Sequence, residues 1–302
     1  MFVTRRRFLA GLGVIGMGAA AYLPGASVFA EDPRAIQIGI PQNLFRDVPK
    51  PLYEAVAPQI GKLMQKVMGV SGNVMLLSGG DEVRRDLDEN KVQLGVFHGF
   101  EFAWAQSKNP ELRPLVIAVK QNQKLNAQVI VASNSSIAKL EDLKDQPVAI
   151  AKGTPEHARL FLSRRTQRIG HRMDKFFGPR SSPNNVTAAL DDVINGKAKA
   201  TVVDGAAWES YTFNFPGKAA KLKPLLKSED FPAGVIAYKQ GALTEAEIKR
   251  YRDGLTAAHQ CSDGMQLMML AKMKRFEVIP ADYQQTCTNI ARAYPPPIGD
   301  EP

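Results

Sequence analysis

The sequence predicts an α/β protein of two lobes, each a mainly parallel sheet flanked by helices. Three observations carry this expectation. Short apolar runs of strand length alternate with helical patterns, and the alternation occurs in two rounds. A polar stretch over residues 120–126 separates the rounds, as a crossing between lobes would. Buried strands alternating with helices place helices on both faces of a sheet.

In the first round, residues 35–41 read as a buried strand ending in a polar turn. Pro58 can open a helix, where its missing N–H costs nothing, and Ile60, Leu63, Met64 and Val67 follow one helical face. Residues 74–77 form a second strand, and 78–81 a turn able to cap the next helix, whose inner face is Val83 and Leu87. Residues 92–97 make a third strand, a helix starts near Gly99, and 114–119 make a fourth strand.

The second round has strands at 129–132 and 147–151, with a short helix over 137–144 between them. Thr154 is expected to cap a helix beginning at Pro155 and running to about Arg168. Val186, Leu190, Val193 and Ile194 mark another helix, closed by Asn195-Gly196. Residues 198–203 are a strand ending at Asp204-Gly205, and 235–238 a returning strand. Thr244 and Glu247 then stand at capping-box spacing before a helix on Ile248, Tyr251 and Leu255. The expected lobes are residues 34–124 plus 238–302, and residues 125–237.

The N-terminus carries its own message. Arg5-Arg6-Arg7 stands directly before Phe8-Leu9, the arrangement of a bacterial twin-arginine export signal. The apolar run that follows is diluted by Gly11, Gly13, Gly16 and Gly18, which makes it a poor membrane anchor. Residues 1–30 are therefore read as a signal cleaved near Ala30, with an uncleaved anchor as the alternative. The expected location is the periplasm, and the expected export partner is the twin-arginine translocase.

Removing that segment takes away three of the 39 basic residues and none of the 30 acidic ones, leaving +6. The basic residues are scattered, and no zinc-finger or RNA-binding pattern is present, so nucleic acid is not expected as a partner. The chain is expected to act as a monomer. Cys261 and Cys287 are its only cysteines. In an oxidising compartment they are expected to form a disulfide, the alternative being two free buried thiols.

Several of these segments, in this order, resemble the phosphonate-type solute-binding proteins of ABC importers, which bind phosphate, phosphite or phosphonates. Residues 36–41 look like the family's opening strand, 58–70 its first helix, and 92–104 its strand-turn-helix. Leu140-Glu141-Asp142-Leu143-Lys144 resembles "L-x-D-L-K-G", residues 195–204 resemble "x-G-x-V-D-A-x-x-V-D", and 276–283 resemble "F-x-P-x-x-x-x-Y". The resemblance covers about residues 34–290. It implies a periplasmic-binding-protein-like fold with the ligand held in a cleft at a hinge. It also implies capture of a small oxyanion for an ABC permease, without enzymatic chemistry and without a cofactor. Family members that bind phosphonates begin the lobe-two helix with serines and threonines. Here Thr154 keeps a hydroxyl, while His157 and Ala158 occupy the matching positions.

Ligands of open α/β lobes sit at the carboxyl ends of strands, against helix N-termini. The candidate ligand residues are accordingly Asn43, the backbone of Ser78, Gly79 and Gly80, His98, Thr154, Glu156, His157 and Asp204. Free N–H groups near Thr154 to His157 favour an anion. Asp204 suits a protonated oxygen or an amine. Trp208 and Tyr211 either wall the cleft or simply pack lobe two. Two rival readings remain open. His98, Glu101, His157 and Asp204 are proper metal ligands if they converge, so the chain could bind a metal or metal chelate. An enzyme on the same fold is the remote reading, since no nucleophile elbow, P-loop or dinucleotide motif is present.

Overall fold

The computed structural model describes residues 35–46 and 48–297. The expected export signal, residues 1–30, lies outside them. Among the described residues no helix is long and apolar enough to cross a membrane.

The chain opens with strand β1 (Ile36–Pro41) and a 3₁₀ turn, Gln42–Phe45. Helix α1 (Lys50–Met68) follows, beginning eight residues before the expected Pro58. Pro51 takes the first-turn position instead, and Pro58 lies inside the helix on its exposed side, where water can bond the carbonyl left without an N–H partner. Tyr53, Ala57, Ile60, Met64 and Met68 form its buried stripe, and Gly69 closes it with φ 66°. Then come β2 (Gly72–Leu77), α2 (Gly80–Asp88), β3 (Leu94–Phe97), α3 (Gly99–Lys108) and β4 (Leu112–Val119).

A short strand β5 (Lys124–Leu125) leads into β6 (Ala127–Ala132), β7 (Val148–Ala149), α4 (Glu156–Arg168), α5 (Met173–Phe176) and β8 (Arg180–Ser181). Next are α6 (Val186–Ile194), β9 (Ala200–Asp204), α7 (Gly205–Asn214), α8 (Pro216–Ala219) and β10 (Leu222–Lys227). The return runs through β11 (Phe231–Pro232) and β12 (Gly234–Lys239) to α9 (Glu245–Ala257), α10 (Ser262–Leu270), β13 (Arg275–Glu277) and α11 (Tyr283–Ala293). The expected capping box at Thr244 and Glu247 is formed at the start of α9.

Two sheets result. The first has the order β13-β4-β12-β3-β1-β2, and the second β10-β6-β9-β7-β8. In the first, β1 to β4 run one way while β12 and β13 run the other. In the second, β6 alone opposes β7, β8, β9 and β10. Each sheet has its own apolar core: Ile36, Ile38, Leu94 and Val116 in the first, and Val129, Val148, Phe161 and Val202 in the second. Side chains of this size stabilise by roughly 1.5–3 kcal/mol each when fully buried.

Between the sheets, β5 and β11 pair antiparallel as a two-stranded crossing. Gly234–Lys239 pairs wholly within the first sheet, because Val235 and Ile236 bury between β3 and β4. Helix α11 spans both cores: Tyr283 and Cys287 pack in the first unit, and Ile290 and Tyr294 in the second. Its end is fastened by the Trp104 indole donating to Tyr294 O at 2.6 Å and by Arg168 donating to Ala293 O at 2.6 Å.

The cysteines do not pair. Cys261 is exposed at the start of α10, where its Sγ accepts from Gly264 N at 3.4 Å. Cys287 is buried on α11 beside Tyr283, and burial pushes its thiol up to about 12. The expected disulfide is therefore corrected: Cys287 is buried in the first unit's core, while Cys261 is exposed outside it. Both should be alkylated in denatured protein without reductant, as mass spectrometry of the labelled chain would read directly.

Two glycines lock the crossing. A Cβ on Gly99 would lie 2.1 Å from Pro232 O and 2.5 Å from Ala233 O. One on Gly205 would meet the Asn126 side chain at 2.2 Å, and Gly205 N already donates to Asn126 O at 2.7 Å. Backbone cannot step aside as a side chain can. Gly99→Ala should thus destabilise by about 1–3 kcal/mol and Gly205→Ala by less, measured as shifts in urea midpoint.

Candidate ligand-binding site

The carboxyl ends of β1, β2, β3, β7 and β9 carry every candidate residue. On the first sheet, three candidates meet through Glu101. Its buried carboxylate accepts from Asn43 Nδ2 at 2.7 Å, from His98 N at 3.4 Å and from the backbone of Gly80. Gly80 must be glycine, since a Cβ there would lie 2.8 Å from Glu101 Cβ. Burial raises the Glu101 pKa, and these donors oppose the rise. Glu101 stands three residues after His98, the helix N-cap, at capping-box spacing.

Ser78 is not available in the way the sequence implied. Its N–H and hydroxyl both donate to Glu82 Oε2, at 2.6 and 2.7 Å. Gly79 extends past this turn with open space around its Cα.

On the second sheet, Thr154 does not cap α4. Pro155 holds the N-cap position, and the buried Thr154 hydroxyl donates to Ala151 O at 2.7 Å. His157 is 5 % exposed, and its Nε2 lies 3.1 Å from Asp204 Oδ1 and 3.4 Å from Asn126 O. Both partners are acceptors, so Nε2 carries the proton and donates. Asp204 is the residue preceding α7, and its position follows from the seating of Gly205 against Asn126.

An ion pair also joins the two halves. Arg46 donates to Glu156 through Nε, and through Nη2 at 3.1 Å. Glu156 is the first residue of α4, so its carboxylate sits where the helix end favours negative charge. Arg46, Asn126 and Phe231 were not singled out from sequence. Their roles depend on how the crossing folds back. Phe231 of β11 lies between the sheets' aromatic groups, 5.5 Å from the His157 ring and 6.4 Å from Phe100. Phe100 in turn stacks on His98 at 5.6 Å.

His98 is the residue left incomplete. Its Nε2 and Asn43 Oδ1 are buried atoms without a hydrogen-bond partner. Burial, followed by the charges of Lys120, His157 and Arg46, holds the imidazole down to about 3. It is neutral at physiological pH. Lys120, exposed just after β4, acts on both His98 and Asp204.

The metal set does not assemble. Among the described residues no three His, Cys, Asp or Glu side chains are grouped as metal ligands. Glu101 is turned into the first unit by its three donors, and His157 Nε2 already serves Asp204.

The sequence profile described as "ABC transporter, phosphonate, periplasmic substrate-binding protein" matches residues 49–284. The chain belongs to this family. Its members are binding proteins of transporters rather than enzymes. No curated relative matches the sequence. Among solved structures, the chain is similar to a binding-protein component of an ABC phosphonate transporter from Pseudomonas aeruginosa, at 15 % identity and TM-score 0.54, covering 86 % of each chain. It is similar to PhnD1 from Prochlorococcus marinus, solved with methylphosphonate, at 14 % identity and TM-score 0.53, covering 86 % of this chain and 98 % of that one. XAC2383 from Xanthomonas citri, solved with ATP, matches at 13 % identity and TM-score 0.56, covering 86 % of this chain and 96 % of that one. These likenesses support the two-lobed fold.

Below pH 6.5 an unfolded chain protonates His98 while the folded one does not, so stability held above pH 6.5 is lost as pH falls toward about 3. The slope from this group is at most about 1.4 kcal/mol per pH unit. Urea unfolding from pH 7 to 4.5 should show a shallower acid loss in His98→Asn than in the wild type.

Proposed function

We propose that the protein captures a small, partly protonated oxyanion of the phosphate, phosphite or phosphonate class for an ABC permease, and releases it unchanged. The observation that carries this reading is the incomplete pair of His98 Nε2 and Asn43 Oδ1. A neutral imidazole N–H asks for an acceptor, and an amide oxygen asks for a donor. A singly protonated oxyanion presents both. Lys120 and Arg46 supply positive charge nearby, and Asp204 accepts from a protonated oxygen or an amine. Membership in the phosphonate-binding family and the methylphosphonate-bound relative support the same class.

His157 has a supporting place on this reading. With Nε2 bonded to Asp204, it orients that carboxylate. The lobes on this reading are residues 34–124 with the chain after β11, and the segment between. They close about the paired β5 and β11 crossing. Export by the twin-arginine translocase delivers the folded, monomeric protein to the periplasm.

Calorimetric titration with phosphate, phosphite, methylphosphonate and 2-aminoethylphosphonate, alongside zinc, tests the class. At least one anion should bind, and His98→Ala should weaken it about tenfold or more, the worth of one hydrogen bond to a charged group. Asp204→Asn should reorder preference among the anions rather than weaken all equally. Silence toward every anion together with tight zinc binding would overturn the reading.

A further inference from the structure

Beyond Asp204 the site does not end. A groove with a volume of about 340 Å³ runs outward from this carboxylate, between the start of α6 and one face of α7. That size is within the roughly 300–1,000 Å³ of small-molecule sites. Gln121, from the crossing segment, forms one side, Thr187 another, and Ser210, Tyr211, Asn214 and Phe215 the length of the α7 wall.

The lining has a definite chemistry. Asp204 is its one formal charge, and no Lys, Arg or His borders it. The neighbouring Lys218 lies over the Phe215 ring at 5.7 Å, with its charge paired to both oxygens of Asp191, at 3.0 and 2.8 Å. Away from the Asp204 end, where Lys120 acts, an anionic group therefore finds no unpaired counter-charge among the lining residues. The Tyr211 ring is fixed: its hydroxyl bonds Asp191 at 3.1 Å and its face stacks on Trp208 at 6.1 Å. Phe215 lies 5.2 Å further along and is 41 % exposed. Ser210 and Asn214, bonded to each other at 3.2 Å, present hydroxyl and amide groups on the next turn. Aromatic faces beside hydroxyls and amides match a ring with apolar C–H faces and hydroxylated edges.

We infer that the groove is a second subsite, which takes an uncharged, polyhydroxylated organic substituent of about sugar-ring size attached to the oxyanion. This rests on the oxyanion reading above and extends it from a bare anion to an organic ester or phosphonate. Asp204 is the junction. It faces the groove on one side and the His157 Nε2–H on the other, so a head group near His98 and Asp204 directs its substituent along α7.

Calorimetry with glucose 1-phosphate, methylphosphonate and glucose tests the subsite. Glucose 1-phosphate should bind at least about tenfold more tightly than methylphosphonate, a gain of about 1.4 kcal/mol. Ser210→Tyr, at an exposed position, should fill the groove and erase that gain while leaving methylphosphonate affinity unchanged. Thr187→Val should reduce the gain without adding bulk. Equal affinity for the two anions, or an equal loss for both in Ser210→Tyr, overturns the subsite and leaves the oxyanion reading standing. Glucose binding with no anion binding keeps the groove and removes the oxyanion. Binding of none of the three overturns both.

Discussion

The close approach of two helix starts to two crossing segments sets the positions of everything else. Gly99 presses α3 against Pro232 and Ala233, and Gly205 presses α7 against Asn126. Each glycine is preceded by a candidate site residue, His98 or Asp204. The backbone that joins the halves is thus also the surface on which both residues are aligned. Without a Cβ at either point, His98 and Asp204 stand at corresponding places, one in each half. Tyr283 reinforces the same point by donating to Ala233 O at 2.9 Å, deep in the first core.

Carboxylates at the site are each held by the protein itself. Glu101 is spanned by three donors, Glu156 by Arg46, and Asp204 by His157. A buried or half-buried carboxylate without such partners would repel an anion and destabilise the fold. With its own partner, each becomes a positioning element, and the unspent hydrogen-bonding capacity is concentrated at His98 and Asn43. His157, standing where relatives are expected to carry hydroxyls, fits this pattern because it restrains a carboxylate.

Much of this was legible in the sequence, and the limits have physical causes. Alternating patterns exposed β1 to β4 and β6, and the Thr244–Glu247 spacing exposed the start of α9, because those signals are local. Strand β13 was not seen: three residues have too little periodicity, and β13 exists by pairing with β4. Pro58 was misread because proline is tolerated inside a long helix on its wet side. Thr154 was read as a cap because Thr-Pro has that form, yet its hydroxyl found Ala151 O instead. The site followed the same division. Strand-end positions pointed to His98, Asp204 and Asn43 as candidates. Arg46, Asn126 and Phe231 meet the site only through contacts 31 to 131 residues apart in the chain.

Strand β12 lies between β3 and β4, although more than a hundred residues separate it from either. During synthesis the first sheet therefore has a slot in its middle, with the inner edges of β3 and β4 unpaired, until residue 239 has left the ribosome. Unpaired edges of this kind invite pairing with other chains, and loop closure over such a separation is slow. The second sheet waits less long: the gap between β6 and β7 is filled by β9, which ends at residue 204. The nascent protein thus completes its middle before its beginning, and the first sheet becomes competent only when the full chain is available.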